Sequence, residues 1–256
     1  MTTSLSFDEH LDVIAQAVGA LTEHAAAAGT DADVPTCPRW TVADLLAHMG
    51  IVHRWAAANL RGDDSATPSK TAVLREVPAD ELVGWVRAGA DALLATLRET
   101  PADVRGMVFL NDAPPPRDFW ARRQAHETTV HGADALAASL GRVPTAAEVD
   151  VPTDVAVDGV DELLRGFFTR GKSKIADGDP FTIRVDPADS DRRWTMHVDG
   201  ERLRTTDTAQ DAPDAVFAGT AAQLYLGLWN RGAEIAATGQ ADLLARWRKA
   251  QRVRWS

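Results

Sequence analysis

Apolar residues recur at helical spacing through most of the first 140 positions of the chain. In residues 6–28, Leu11, Ile14, Val18 and Leu21 share one stripe, which predicts an amphipathic helix. Ser6, followed by Asp8 and Glu9, suits its N-cap and first turn. The segment DVPTCPRW holds two prolines and reads as a loop. A second helix is predicted from Thr41 through TVADLLAHMGIVHRWAAANL, where Thr41 and Asp44 have the spacing of a capping box. A third runs from Asp80 and ends before Pro101. A fourth runs from Arg117 to Leu140, with Gly141 as the natural residue just past its end. Four long amphipathic helices joined by loops predict an antiparallel four-helix bundle.

The pattern then changes. Residues 142–154 form a polar, proline-containing stretch that reads as a linker, followed by one more helix in DVAVDGVDELLRGFFTR. Beyond it the period drops to two. Phe181, Ile183 and Val185 alternate, as do Trp194, Met196 and Val198, and the second run ends in Asp199-Gly200, a strong hairpin signal. DAVFAG reads as another strand. Helices follow from Thr220 in TAAQLYLGLWNRG and in ADLLARWRKAQ. These elements predict two domains: a helical bundle over 1–145 and a smaller α+β domain, with an antiparallel sheet and helices on one face, over 146–256.

Composition narrows the possibilities. The chain has 256 residues, enough for two ordinary domains, and at 45% apolar and 25% charged it has a globular balance. A formal net charge of -10 disfavours general binding to a phosphate backbone. There is no apolar run of membrane-spanning length and no secretory pattern at the start. Cys37 is the single cysteine, so an intrachain disulfide is excluded and a cytoplasmic setting is expected. With no basic partner nearby in sequence, Cys37 reads as a small buried filler rather than a nucleophile.

The candidate chemistry lies in RRQAHETTVHGAD, residues 122–134. Two histidines around a glutamate suggest the His-Glu-x-x-His motif of zinc proteases, but the second histidine comes one residue late. At about 100° per residue, His126 and His131 point roughly 140° apart and cannot share an ion, whereas Glu127 and His131 lie on one face about 40° apart. The spacing argues against a protease, in which the glutamate is the base and not a ligand. A catalytic site needs a third ligand. His48 and His53 both lie on apolar stripes of the second helix, and periodicity leaves both open. Arg122 and Arg123 read either as contacts to an anionic ligand or as solvated charges.

Taken with CPRWTVADLLAHMG, VAVDGVDELL and AAQLYLGLWNRG, this stretch resembles the mycothiol-dependent maleylpyruvate isomerase family over nearly the whole chain. The resemblance implies a DinB-like metal-binding bundle followed by a domain similar to sterol carrier protein. It implies His48, Glu127 and His131 as ligands of a divalent metal, zinc in the first place, with iron or nickel also compatible with the donors. It further implies Arg231 as a residue reaching the site, where a carboxylate substrate would explain it. Asp134 is implied either to orient a ligand or to be an exposed helical acid, and His126 to lie beside the site without coordinating. Mycothiol is the implied thiol cosubstrate, in keeping with the arginine- and alanine-rich composition of a GC-rich bacterial genome. The expected activity is addition of a metal-bound thiolate to a small electrophile, as an isomerase or an S-transferase, by a monomer with its site at the mouth of the bundle facing the second domain. The competing expectation is a metal-binding bundle with a regulatory or small-ligand-binding role.

Overall fold

The computed structural model describes residues 5–63, 67–170, 174–176, 178–200, 202–208 and 212–250. Met1–Ser4, the hairpin residue Glu201 and Gln251, the expected end of the last helix, lie outside these residues.

The helical half comprises α1 (Phe7–Ala28), α2 (Val42–Arg61), a short α3 (Lys70–Glu76), α4 (Leu82–Glu99) and α5 (Pro116–Leu140). Local chemistry sets several ends. The Ser6 hydroxyl accepts from the Glu9 amide while the Glu9 side chain takes the Ser6 amide, and Thr41 with Asp44 repeats this reciprocal arrangement. Gly141 ends α5 in the left-handed conformation, φ +66°, open without strain to a residue lacking Cβ. α1 packs along α5 and α2 along α4, and contacts of α1 with α4 and of α2 with α5 close a four-helix ring. The sequence pattern did not predict α3. It buries only Val73, too little apolar surface to create a period.

The second half begins with α6 (Ala146–Val149) and α7 (Thr153–Asp161), which runs on as a π-helical turn over Glu162–Phe167. Strands β1 (Phe181–Pro187), β2 (Trp194–Asp199), β3 (Arg202–Thr206) and β4 (Ala215–Gly219) precede α8 (Ala221–Leu228), β5 (Ala236–Gly239) and α9 (Leu243–Ala250). The five strands form one sheet in the order β3-β2-β1-β4-β5. The expected hairpin joins β2 to β3, with Asp199 opposite Arg202 and Gly200 at φ +53°. The sheet is antiparallel except between β1 and β4, which run parallel. Alternation reports which face of a strand is buried and carries no information on direction, so the parallel pair could not be read in advance. The edge strand β5 escaped notice because all four of its residues are exposed.

The apolar core falls into three clusters. One fills the sheet half, around Trp194, Met196, Phe217, Leu224 and Trp247, and takes in Val130 and Ala133 of α5. The bundle holds two others. Ile14, Leu60, Leu93, Phe119 and Trp120 belong to one, and Leu21, Leu45, Met49, Val86 and Ala135 to the other. Along α2 and α5 the residues between these clusters are polar and buried: His48 and His53 on α2, and Gln124, Glu127, Thr128 and His131 on α5. Burying polar groups in mid-bundle costs stability unless each finds a partner.

α5 is buried from Phe119 to Ala138, Thr129 excepted, because the second half covers the face that the bundle leaves open. The halves meet closely at Gly159 of α7. A Cβ there would stand 2.2 Å from the Tyr225 ring and 2.9 Å from His126 Nδ1. Gly159→Ala is therefore expected to push Tyr225 of α8 off α7, disturb the contact with His126 of α5 and lower the unfolding free energy by about 1–3 kcal/mol. Urea denaturation checks this, and an unchanged midpoint would show that the contact yields freely.

Candidate metal centre

Glu127 and His131 stand one turn apart on α5, and His48 faces them from α2. Glu127 Oε1 lies 3.4 Å from His48 Nε2 and 3.4 Å from His131 Nε2. The three ligand atoms all fall within 4.8 Å of one another, and all three residues are buried. The donor roles can be assigned. Asp134 Oδ2 lies 2.8 Å from His131 Nδ1. The carboxyl is held below the usual carboxylate range because the Arg231 charge and the bond from His131 outweigh its burial. It therefore only accepts, so Nδ1 carries a proton; Nε2 donates to Glu127 when the ring is charged and is the free ligand nitrogen when the ring is neutral.

Burial lowers the pKa of His48 and outweighs the bond to Glu127 that raises it. Burial alone would also lower His131, but its bonds to Asp134 and Glu127 prevail and raise it. Burial would raise Glu127, but its bonds to His131 and His48 and the nearby Arg123 charge hold it well below the ordinary value. Protons on the imidazoles can bridge them to Glu127, and a metal cation can take the place of those protons among the three converging ligand atoms. Ligand atoms at about 2.0–2.1 Å from a tetrahedral zinc stand about 3.4 Å apart, which is the spacing that Glu127 makes with both imidazoles. Two imidazoles and a carboxylate are suitable donors for zinc and compatible with other borderline divalent ions.

Trp40 and the Arg231–Asp134 pair pack against this cluster. Trp40, at the end of the proline-containing loop, stacks on His131 at 5.8 Å and lies 4.9 Å from His48. Arg231 reaches in from the second half. Its Nε and NH2 donate to the two oxygens of Asp134, each at 3.0 Å, and NH1 donates to the Trp229 carbonyl. Asp134 is fully buried, so the sequence alternative of an exposed acid does not hold. Arg231 NH2 also lies 3.3 Å from Cys37 Sγ. Cys37 thus has a basic neighbour that sequence proximity could not show, and it sits beside the cluster. Burial, reinforced by the Asp134 carboxylate, pushes its thiol up to about 12.

Arg122 and Arg123 are neither solvated nor free for a ligand; both are buried in ion pairs. Arg122 donates to Asp158 and Asp161 on α7. His126 turns away from the candidate ligands: its Nε2 lies 2.9 Å from Asp158 Oδ2, an oxygen that also meets His10 at 3.1 Å and Arg122 at 2.9 Å. His10, His126 and Asp158 have a ligand-like spacing. A guanidinium already occupies the shared oxygen, however, so the group is a buried ion-pair cluster that ties the halves together. His53 points its Nε2 at Thr128, 3.0 Å away, and stays outside the triad. Sequence reading passed over Trp40 and Glu162. The usable signal was the placement of Asp158, Asp161 and Glu162 three to four positions apart on one helix, an acidic stripe facing two arginines.

A helical bundle with a buried histidine–glutamate cluster, closed by an α+β half that reaches into it, is the class that fold and site define. The chain belongs to the mycothiol maleylpyruvate isomerase family. The profile of that family's N-terminal domain matches residues 11–136, and the MDMPI C-terminal domain matches residues 154–246. Among solved structures it is similar to a crystal structure of the mycothiol-dependent maleylpyruvate isomerase, at 18% identity and TM-score 0.61, covering 93% of this chain and 96% of that one. A histidine-to-alanine mutant of the mycothiol-dependent maleylpyruvate isomerase aligns at 17% identity and TM-score 0.60, with 93% and 96% covered. At this identity the likeness speaks for the fold. None of the curated proteins compared matches the chain.

The Cys37 environment has a direct consequence. A thiol with its pKa near 12 reacts slowly with iodoacetamide at neutral pH, and its rate keeps climbing above pH 9 without levelling. Mass-spectrometric alkylation rates from pH 7 to 10 check this. A plateau near pH 8.5 would show an ordinary thiol.

Proposed function

We propose that the chain is a metal-dependent isomerase that uses mycothiol as cosubstrate on a small electrophile of the maleylpyruvate kind. The observation that carries this reading is the convergence of His48, Glu127 and His131 on one point, within the fold of the family. These three residues would hold the ion, with zinc the best match to the donor set. A divalent ion held there supplies Lewis acidity that favours the deprotonated form of a thiol near neutral pH.

The chain's own residues do the rest. Asp134 keeps the His131 proton on Nδ1 and leaves Nε2 free to ligate. Arg231 has its Nε–NH2 edge on Asp134 and one NH1 bond on the Trp229 carbonyl, which leaves the second N–H of NH1 for a substrate carboxylate beside the cluster. Trp40 covers the two imidazoles and limits access of water to them. Cys37 stays protonated and leaves the nucleophile's role to the external thiol. Addition of that thiol to one carbon of a cis double bond turns it into a single bond. Rotation and loss of the same thiol then give the trans isomer, with the thiol regenerated.

The test combines metal analysis with product analysis. The wild-type protein is expected to hold one divalent ion per chain, and His48→Ala and Glu127→Ala to lose it. Stoichiometric metal in both variants would sink the triad. With mycothiol present, maleylpyruvate is expected to isomerise with no thiol retained in the product by mass spectrometry. Retained thiol would make the protein an S-transferase, and a metal-loaded protein without any mycothiol binding would favour a non-catalytic metal-binding role.

Asp134→Asn is expected to weaken metal binding by about 10–100-fold, because the amide holds Nδ1–H less strongly and loses its charge. Competition with a chromophoric chelator measures this, and unchanged affinity would rule out the orienting role.

A further inference from the structure

Arg123 is buried one turn before Glu127 on α5, and its two terminal nitrogens do different work. NH2 donates to Glu127 Oε2 at 3.0 Å, the oxygen that does not face the imidazoles. NH1 donates to Oε2 of Glu162, which lies in the π-helical turn of the second half. Nε of Arg123 and Oε1 of Glu162 have no hydrogen-bond partner among the described residues, so one guanidinium edge is all that joins the two carboxylates. The guanidinium carbon also lies 5.0 Å from the Phe167 ring and 5.5 Å from the Trp229 ring, both in the second half. Aromatic faces on a cation, together with an anion from across the domain boundary, fix the fork in place. Neither Arg123 nor Glu162 is placed to ligate a metal.

We infer that Arg123, steered by Glu162, is a positioning residue that ties up Oε2 of Glu127, so that this carboxylate offers a metal one oxygen and not two. A carboxylate free at both oxygens can chelate, which would fill a position needed by an incoming thiol. The device parallels the Arg231–Asp134 contact behind His131. Each relay starts from a residue of the second half and ends on a candidate ligand in the bundle. Metal geometry is therefore set partly from outside the bundle. The inference rests on the proposed metal site, so its test must separate the two.

Cobalt(II) serves as the probe, because its visible bands are intense at four coordination and weaken as coordination number rises. Wild-type protein is expected to bind one Co2+ with intense bands that vanish in His48→Ala. Arg123→Lys cannot fork between two carboxylates, and Glu162→Gln removes the anion that anchors the fork. Both are expected to bind one Co2+ with weaker, shifted bands of higher coordination, and to lose about tenfold or more in kcat. Arg142→Ala, at an exposed ion pair with Glu148, should leave the spectrum unchanged. Wild-type bands in both Arg123→Lys and Glu162→Gln would overturn the positioning role while the metal site stands. A wild-type protein without His48-dependent bands would overturn the metal site itself. Circular dichroism establishes folding, and if Arg123→Lys does not fold, Glu162→Gln alone decides, since it touches no candidate ligand.

Discussion

Arg122 and Arg123, side by side on α5, carry two positive charges into a region that water does not reach. Such charges stay buried only if paired, and removing one partner of a buried pair costs about 3–5 kcal/mol. The partners come from the other half of the chain: Asp158 and Asp161 take Arg122, and Glu162 takes Arg123. In return, Arg231 of the second half finds its anion in Asp134 of α5. Each half therefore leaves charges whose pairing the other completes, although Glu127 also takes one nitrogen of Arg123 from within α5. This mutual requirement fixes how the halves sit and explains why α5, unlike an ordinary surface helix, has no solvent stripe over most of its length.

The same constraint shapes the site. A layer of His48, His53, Glu127 and His131 interrupts the bundle core between its two apolar clusters. Filled with leucine, that layer would bury more apolar surface; as it stands, it weakens the bundle and concentrates ligand atoms at one point. Polar interruptions of this kind mark the places where function overrides packing. The π-helical turn adds to this. By carrying one extra residue per turn it re-aims the end of the α7 helix, where Glu162 and Phe167 both meet Arg123.

Much was legible in the sequence, for physical reasons that are local. Helical and strand periods, the N-cap at Ser6, the capping box at Thr41, the left-handed Gly141 and the Asp199-Gly200 turn all act over a few residues, and each appears where the pattern placed it. The opposition of His126 and His131 follows from helix geometry alone and needs no knowledge of the fold. The short α3 and the exposed β5 escaped because they leave little hydrophobic period behind, and the parallel β1–β4 pair because alternation carries no strand direction.

The amino-acid order by itself determined the element types, most of their ends and the Glu127–His131 pair, since these depend on neighbours within a turn or two. Only the tertiary structure set His48 against Glu127 and His53 against Thr128. It alone brought Arg231 to Asp134 and Cys37, across 97 and 194 positions of chain, and Glu162 to Arg123. The reason is that pairing of buried charges acts through space between elements, and no spacing along the chain encodes which distant charge will complete it.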